Sequence, residues 1–172
     1  MGAISDVKSA YLNQTGFLIP LDRSRIKGIA VKGSASAGQI DLFSTNVAPT
    51  AGTYGQSGNT ITVTSNGHGL STGDVIGIAY SAGTGGTATC GNIAVTVTDA
   101  NVFTITCINS FTITAGANCR FVKDGGEWLM SFTLAANDIY NNYFEIPGAG
   151  VLAKNKVHAT MTNVTAATAF YA

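Results

Sequence analysis

Thr60-Ile61-Thr62-Val63-Thr64 runs into Asn66-Gly67-His68-Gly69-Leu70 and then into Thr72-Gly73-Asp74-Val75-Ile76. β-Branched residues alternate with polar ones, and Gly, Asn and Asp punctuate them. That is the pattern of short antiparallel strands joined by tight turns. The pattern returns at Val95-Thr96-Val97-Thr98, where Val95 and Val97 are placed to pair with Phe103 and Ile105 across Asp99-Ala100-Asn101. Phe111 and Ile113 give a further strand, and Thr114 to Asn118 predicts a turn towards Cys119 and Phe121. About five strands in this span are enough for a small barrel or sandwich.

Outward from this module, the flanks read as strands of a second structure. Gly16-Phe17-Leu18-Ile19-Pro20 suits an edge strand closed by proline. Arg23, Arg25 and Lys27 fall on one face if residues 22–31 are extended, and Gly28 interrupts the alternation as a bulge does. Ile40 and Leu42 share a face. Trp128, Met130, Phe132 and Leu134 predict a buried strand, and Tyr143 to Ile146 a strand ended by Pro147. Val157, Ala159 and Met161 face one way, and Thr162 to Thr165 turns the chain into a last strand ending at Phe170-Tyr171. The segment Asp6 to Leu12 has helical spacing at Val7, Ala10 and Tyr11, but is short enough to lie as a strand or coil on its own domain. The expected fold is all-β, with an antiparallel sandwich or jelly-roll-like host built from 1–45 and 121–172. A linker at 46–56 and an inserted, small barrel-like module at 57–120 complete it. Insertion succeeds at loop tips whose ends lie close together.

Composition narrows the function. The chain has 172 residues, 45% of them hydrophobic and only 10% charged, against a usual quarter. Nine basic and nine acidic residues cancel, so no global attraction to nucleic acid or an anionic membrane is expected. No basic stretch followed by a long apolar run opens the chain, and no run of about 18 apolar residues occurs. Neither a secretory signal nor membrane insertion is expected. Cys90, Cys107 and Cys119 match no zinc or Cys-x-x-Cys spacing and are expected as free thiols, Cys107 as a small core residue. A Cys90–Cys107 bridge is the alternative.

Residues able to do chemistry are sparse. His68 lies in a Gly-flanked turn, where shaping the turn is the expected role, and His158 is expected on a strand surface or at an interface. Most carboxylates stand in turns, as backbone caps. Glu127 and Glu145 would form a glycosidase pair only if the fold brought them about 5–10 Å apart. Gly83-Thr84-Gly85-Gly86 lacks the Lys-Ser/Thr of a phosphate loop. No catalytic residue, metal site or cofactor is expected. Candidate partner contacts are the basic stripe Arg23, Arg25 and Lys27, together with Tyr140 and Tyr143 in an Asn-rich stretch. Trp128 and Phe144 are expected in the core.

The flanks resemble small virion proteins of tailed bacteriophages. The residues that carry this are Arg23-x-Arg25-Ile26-Lys27-Gly28-Ile29, Gly38-x-Ile40-x-Leu42, Lys123-Asp124-Gly125-Gly126, Ile146-Pro147-Gly148-x-Gly150-Val151, and Met161-Thr162-Asn163-Val164 with Phe170-Tyr171. In the shorter relatives, the Gly-x-Ile-x-Leu strand reaches Lys-Asp-Gly-Gly directly; here the module intervenes. The module resembles a small β repeat of phage structural and tail proteins, through Ile61 to Thr64, His68-Gly69-Leu70-x-Thr72-Gly73-Asp74 and Asn101-x-Phe103-Thr104-Ile105. The resemblance implies a non-enzymatic virion component assembled in the host cytoplasm. It implies a capsid decoration subunit bound to the major capsid protein or other virion proteins, as a homo-oligomer, by analogy a trimer. The alternative is a tail or fibre part binding a host receptor or surface glycan.

Overall fold

The structure, a computed structural model, describes residues 7–172. Among them are fourteen strands and no helix. The chain divides into two compact units. The first runs up to Ala48 and resumes at Leu129; the second is Pro49–Trp128.

The first unit is a sandwich of two sheets. One sheet takes β1 (Lys8–Leu12), β3 (Arg25–Gly33), β11 (Asn141–Glu145) and β14 (Val164–Tyr171) in the order β1-β14-β3-β11, with the two-residue β12 (Val151–Leu152) also on β3. The other takes β2 (Gly16–Ile19), β4 (Gly38–Ser44), β10 (Glu127–Leu134) and β13 (Val157–Thr162) in the order β10-β4-β13-β2. Setting β12 aside, the first strand pairs with the last, the second with the second to last, the third with the third to last, and β4 with β10. This is one long hairpin rolled into two sheets, the jelly-roll order. Ile29, Val31, Ala167 and Ala169 from one sheet and Ile19, Ile40, Leu42, Val157 and Ala159 from the other share a single core. Each is fully or almost fully removed from water, and each Ile, Leu or Val among them contributes about 1.5–3 kcal/mol.

Several expectations change here. Of the two readings of the N-terminal stretch, the strand holds: Lys8–Leu12 lies antiparallel to β14, and its neighbours on the sheet override the helical spacing. Asp6 lies outside the described residues. Arg23 sits in the turn before β3, with φ 57°, so the strand begins at Arg25. β10 is half-buried along most of its length instead of presenting one buried face; Leu134 alone is buried. His158 is buried, not a surface residue.

The second unit is a single sheet ordered β5-β9-β6-β7, with β8 on β9. Its strands are β5 (Thr50–Thr64), β6 (Val75–Tyr80), β7 (Gly91–Ala94), β8 (Thr96–Val97) and β9 (Val102–Val122). The sheet does not close into a barrel: β5 and β7 stand at its two ends. Residues 50–56, expected within a linker, are the first half of β5. The turn expected at Thr114 to Asn118 lies within β9. It is accommodated by a bulge, where Tyr54 pairs with Ala117 but Gln56 with Ile113. The β5–β9 ribbon then doubles back on itself. Gly58, at φ 59°, turns β5, and Ser65 Oγ on the return stroke donates to the Ala51 carbonyl at 2.8 Å. Tyr54, Ile61, Val63, Phe103, Ile105, Ile113 and Phe121 pack within the fold so formed. Phe103 meets Phe121 edge to face at 5.3 Å.

Candidate interaction surface

Register decides which side chains leave the sandwich. Ala10, Ala169, Ile29 and Phe144 stand side by side across β1, β14, β3 and β11, and all four belong to the core. Side chains alternate along a strand, so the rows on either side point outwards. One outward row is Tyr11, Thr168, Ala30 and Tyr143; the next is Ser9, Phe170, Gly28 and Glu145. Tyr11 is 65% exposed and Tyr143 58%. Three inter-strand steps separate them, about 14 Å.

The floor between the rings is made of small residues, and one of them fixes a ring. A Cβ on Gly28 would overlap the Tyr143 phenol, whose Cζ would lie only 2.8 Å from it. The bare glycine backbone is therefore the seat of Tyr143, which meets Phe170 edge to face at 5.8 Å. On the inner side of β11, Phe144 stacks on Phe132 at 4.5 Å, and this anchors the strand that carries Tyr143. The result is a sparsely charged aromatic face on rigid strands.

The expected contacts do not form one patch. Tyr143 belongs to this face. Tyr140, 78% exposed, lies in the bend leading into β11. Arg23 and Arg25 are both exposed, but on a turn and on a strand respectively. Lys27 is turned to the Pro147–Gly150 turn, where its Nζ donates to the Ala149 carbonyl at 2.8 Å. The continuous basic stripe is thus replaced by two exposed arginines and a lysine held by its own chain. Tyr11 and Phe170 were missed by sequence reasoning. Their alternation was readable, but only strand order brings the first and last strands beside each other.

In the second unit, the His68 motif builds a knot of hydrogen bonds. His68 Nδ1 accepts from the Leu70 N–H at 3.0 Å, so the ring proton is on Nε2, which donates to the Asp99 carbonyl at 3.0 Å. Asn101 Oδ1 accepts from Gly67 N–H, and Asp74 Oδ2 accepts from Ser71 N–H. Lys123 Nζ donates to the His68 and Gly69 carbonyls. Each polar residue of the motif is spent on backbone, which matches the turn-shaping role expected of His68.

The three cysteines are reduced. Cys119 is buried, and burial pushes its thiol up to about 12, away from reactive thiolate. Cys107, expected in the core, is half-buried at a corner of the ribbon, where its Sγ donates to the Asn59 carbonyl. Burial likewise raises the Tyr80 and Tyr54 phenols. Glu145 is exposed on the outer face of β11 and belongs to the first unit, whereas Glu127 opens β10 within the second. Among the described residues, no group of three or more His, Cys, Asp or Glu side chains is placed to hold a metal ion.

No protein-family model matches the chain, and no curated protein does. Among solved structures, the chain is similar to the phage phi92 endosialidase at 19% identity, over 81% of this chain and 20% of that one, with a TM-score of 0.30. The chain thus spans about a fifth of the length of that protein.

Proposed function

We propose that this protein is a non-enzymatic structural subunit of a tailed-phage virion, a decoration protein that docks on the capsid shell through its sandwich and carries the inserted module. What supports the reading is the outer face of the β1-β14-β3-β11 sheet. Tyr11, Tyr143 and Phe170 stand there on a floor of Gly28, Ala30 and Thr168. Aromatic side chains of this kind are favoured as interface anchors because they bury much area for little conformational entropy. Docking of this kind works by buried area, and no proton or electron has to move. Jelly rolls recur in viral capsid and lectin domains, an analogy of fold that adds weight to an assembly role.

The tail or fibre reading rests on a different observation, the strong exposure of Tyr140 beside this face, which suits stacking on a sugar ring. Counting chains per purified virion by quantitative mass spectrometry separates the two. Hundreds of copies on heads are expected for decoration; about six or twelve, following the symmetry of a vertex, would move the protein to the tail. Absence from purified particles would remove both.

The face itself is tested by Gly28→Ala. The added methyl displaces the Tyr143 ring, which can swing into solvent, so a stability change under about 1 kcal/mol is expected. Binding to heads stripped of this protein should fall as much as with Tyr143→Ala. Undiminished binding by both variants would show that the sheet face is not the docking surface.

A further inference from the structure

Asn66-Gly67 is the single Asn-Gly pair of the chain, and both residues are exposed. Such a pair carries its own chemistry. The glycine nitrogen, with no neighbouring side chain to shield it, can lose its proton and attack the asparagine Cγ. The new N–Cγ bond closes a succinimide ring, the C–N bond of the side-chain amide breaks, and ammonia leaves. Water then opens the ring at either carbonyl, leaving aspartate or isoaspartate in place of asparagine. The reaction needs no oxidant, cofactor or enzyme, which is why asparagine counts among the thermolabile residues. It does need a nitrogen that is free to lose its proton and to turn towards Cγ.

One residue removes both freedoms. The Ser65 N–H donates to the Asn101 carbonyl at 2.8 Å, and the Gly67 N–H donates to Asn101 Oδ1 at 2.9 Å. The backbone is thus gripped on each side of Asn66. A hydrogen bond made by the protonated form disfavours loss of that proton, so the Gly67 nitrogen is a poorer nucleophile than in an open chain. The two bonds together stop the Asn66–Gly67 peptide from rotating towards the side chain. Asn101 is fixed in turn: its N–H donates to Asp99 Oδ1 at 2.7 Å, and the Asp99 carbonyl accepts from the His68 ring.

We propose that Asn66 is a self-modification site, converted to aspartate or isoaspartate by attack of the Gly67 nitrogen, and that Asn101 is the residue that restrains it. The knot around His68 then sets how long the Asn66 amide survives. Conversion to isoaspartate places an extra backbone methylene between the two gripped N–H groups. The modified turn no longer matches both Asn101 oxygens, so modification releases the turn that shapes the module.

The inference does not rest on the virion reading, which stands or falls on copies per particle, whereas this one is read on the purified chain. The full chain is incubated at neutral pH, and conversion of Asn66 is followed by peptide mapping and isoaspartyl methylation. Wild type should convert slowly when folded and quickly in urea. Asn101→Ala should convert about tenfold faster than folded wild type, the rate equivalent of one hydrogen bond, while a thermal melt shows it folded. Asn101→Asp keeps an acceptor for the Gly67 N–H and should stay near wild type. Ile105→Val, which loses comparable stability by trimming a buried side chain, should also stay near wild type because its grip on Asn66 is intact. Folded wild type converting as fast as the chain in urea would overturn the proposal. So would an Asn101→Ala rate no higher than that of wild type, or one matched by either of the other variants.

Discussion

The two histidines of this chain are both buried, and they are held in opposite ways. His68 has each ring nitrogen matched to a backbone group and its ring edge-on to Phe103 at 5.2 Å. His158 stands edge-on to Phe17 at 5.0 Å, and its Nδ1 has no hydrogen-bond partner among the described residues. Two residues along β13, the buried Thr160 Oγ1 has none either. Around His68, local sequence supplies the partners, from Leu70 and from the turn at Asp99 to Asn101. Around His158, strands distant in sequence supply burial, and nothing in the pairing supplies a donor or acceptor. A satisfied polar group specifies a structure; an unsatisfied one weakens it by about 1–3 kcal/mol.

This contrast can be broken at four places. The largest effect is expected for His68→Ala. It leaves the Leu70 N–H and the Asp99 carbonyl without partners and opens space beside Phe103, for a loss of about 3 kcal/mol. Urea denaturation measures it, and a loss under about 1 kcal/mol would show that the knot does not hold the module. Asn101→Ala removes the acceptor for Gly67 N–H in a more exposed setting and should lose about 1 kcal/mol by the same measurement.

His158 should reveal itself as a slope. Burial lowers its pKa, so the unfolded chain takes up a proton more readily than the folded one. The stability contributed by its neutral form is therefore complete above the ordinary imidazole range and falls as pH drops through it towards the lowered folded value. Melts across pH 8 to 5 should show this decline (the interval brackets the ordinary pKa of about 6.5), and His158→Phe should flatten it. An unchanged slope in that variant would locate the pH sensitivity elsewhere. Thr160→Val is the smallest test. It deletes an unpartnered buried hydroxyl at constant shape, so stability should hold or rise by up to about 1 kcal/mol.

The same contrast explains what could be read from the sequence. The module's turns were legible because Gly, Asn and Asp act on their immediate neighbours, and His68 was correctly assigned to shaping its turn. The all-β class and the strands at Ile40, Leu42, Val157 and Ala159 were legible because alternation is a property of single strands. What alternation cannot say is which strand lies beside which. Alternation therefore leaves Tyr11 and Phe170 unmarked and sets His158 on a strand surface or at an interface, whereas its neighbours on β2 and β4 bury it. Lys27 was assigned to a stripe because strand geometry predicts its direction, whereas the Ala149 carbonyl across the turn decides where its ammonium goes. The bulge at Ala115 and Gly116 reads as a turn in the sequence because both demand the same small residues.

The rolled hairpin has a kinetic consequence. Its two central strands, β4 and β10, lie side by side, yet about 80 residues separate them along the chain. Closing a loop of that length by chance is slow and entropically unfavourable. Thr50 pairs with Phe121, however, so a folded module already holds its own ends together. To the host, such a module is a connection of about ten residues, which lowers the closure entropy by about 2 kcal/mol. The module should therefore fold first and template the jelly roll around its own ends. A His68 variant that unravels the knot should then slow the refolding of strands that never touch it.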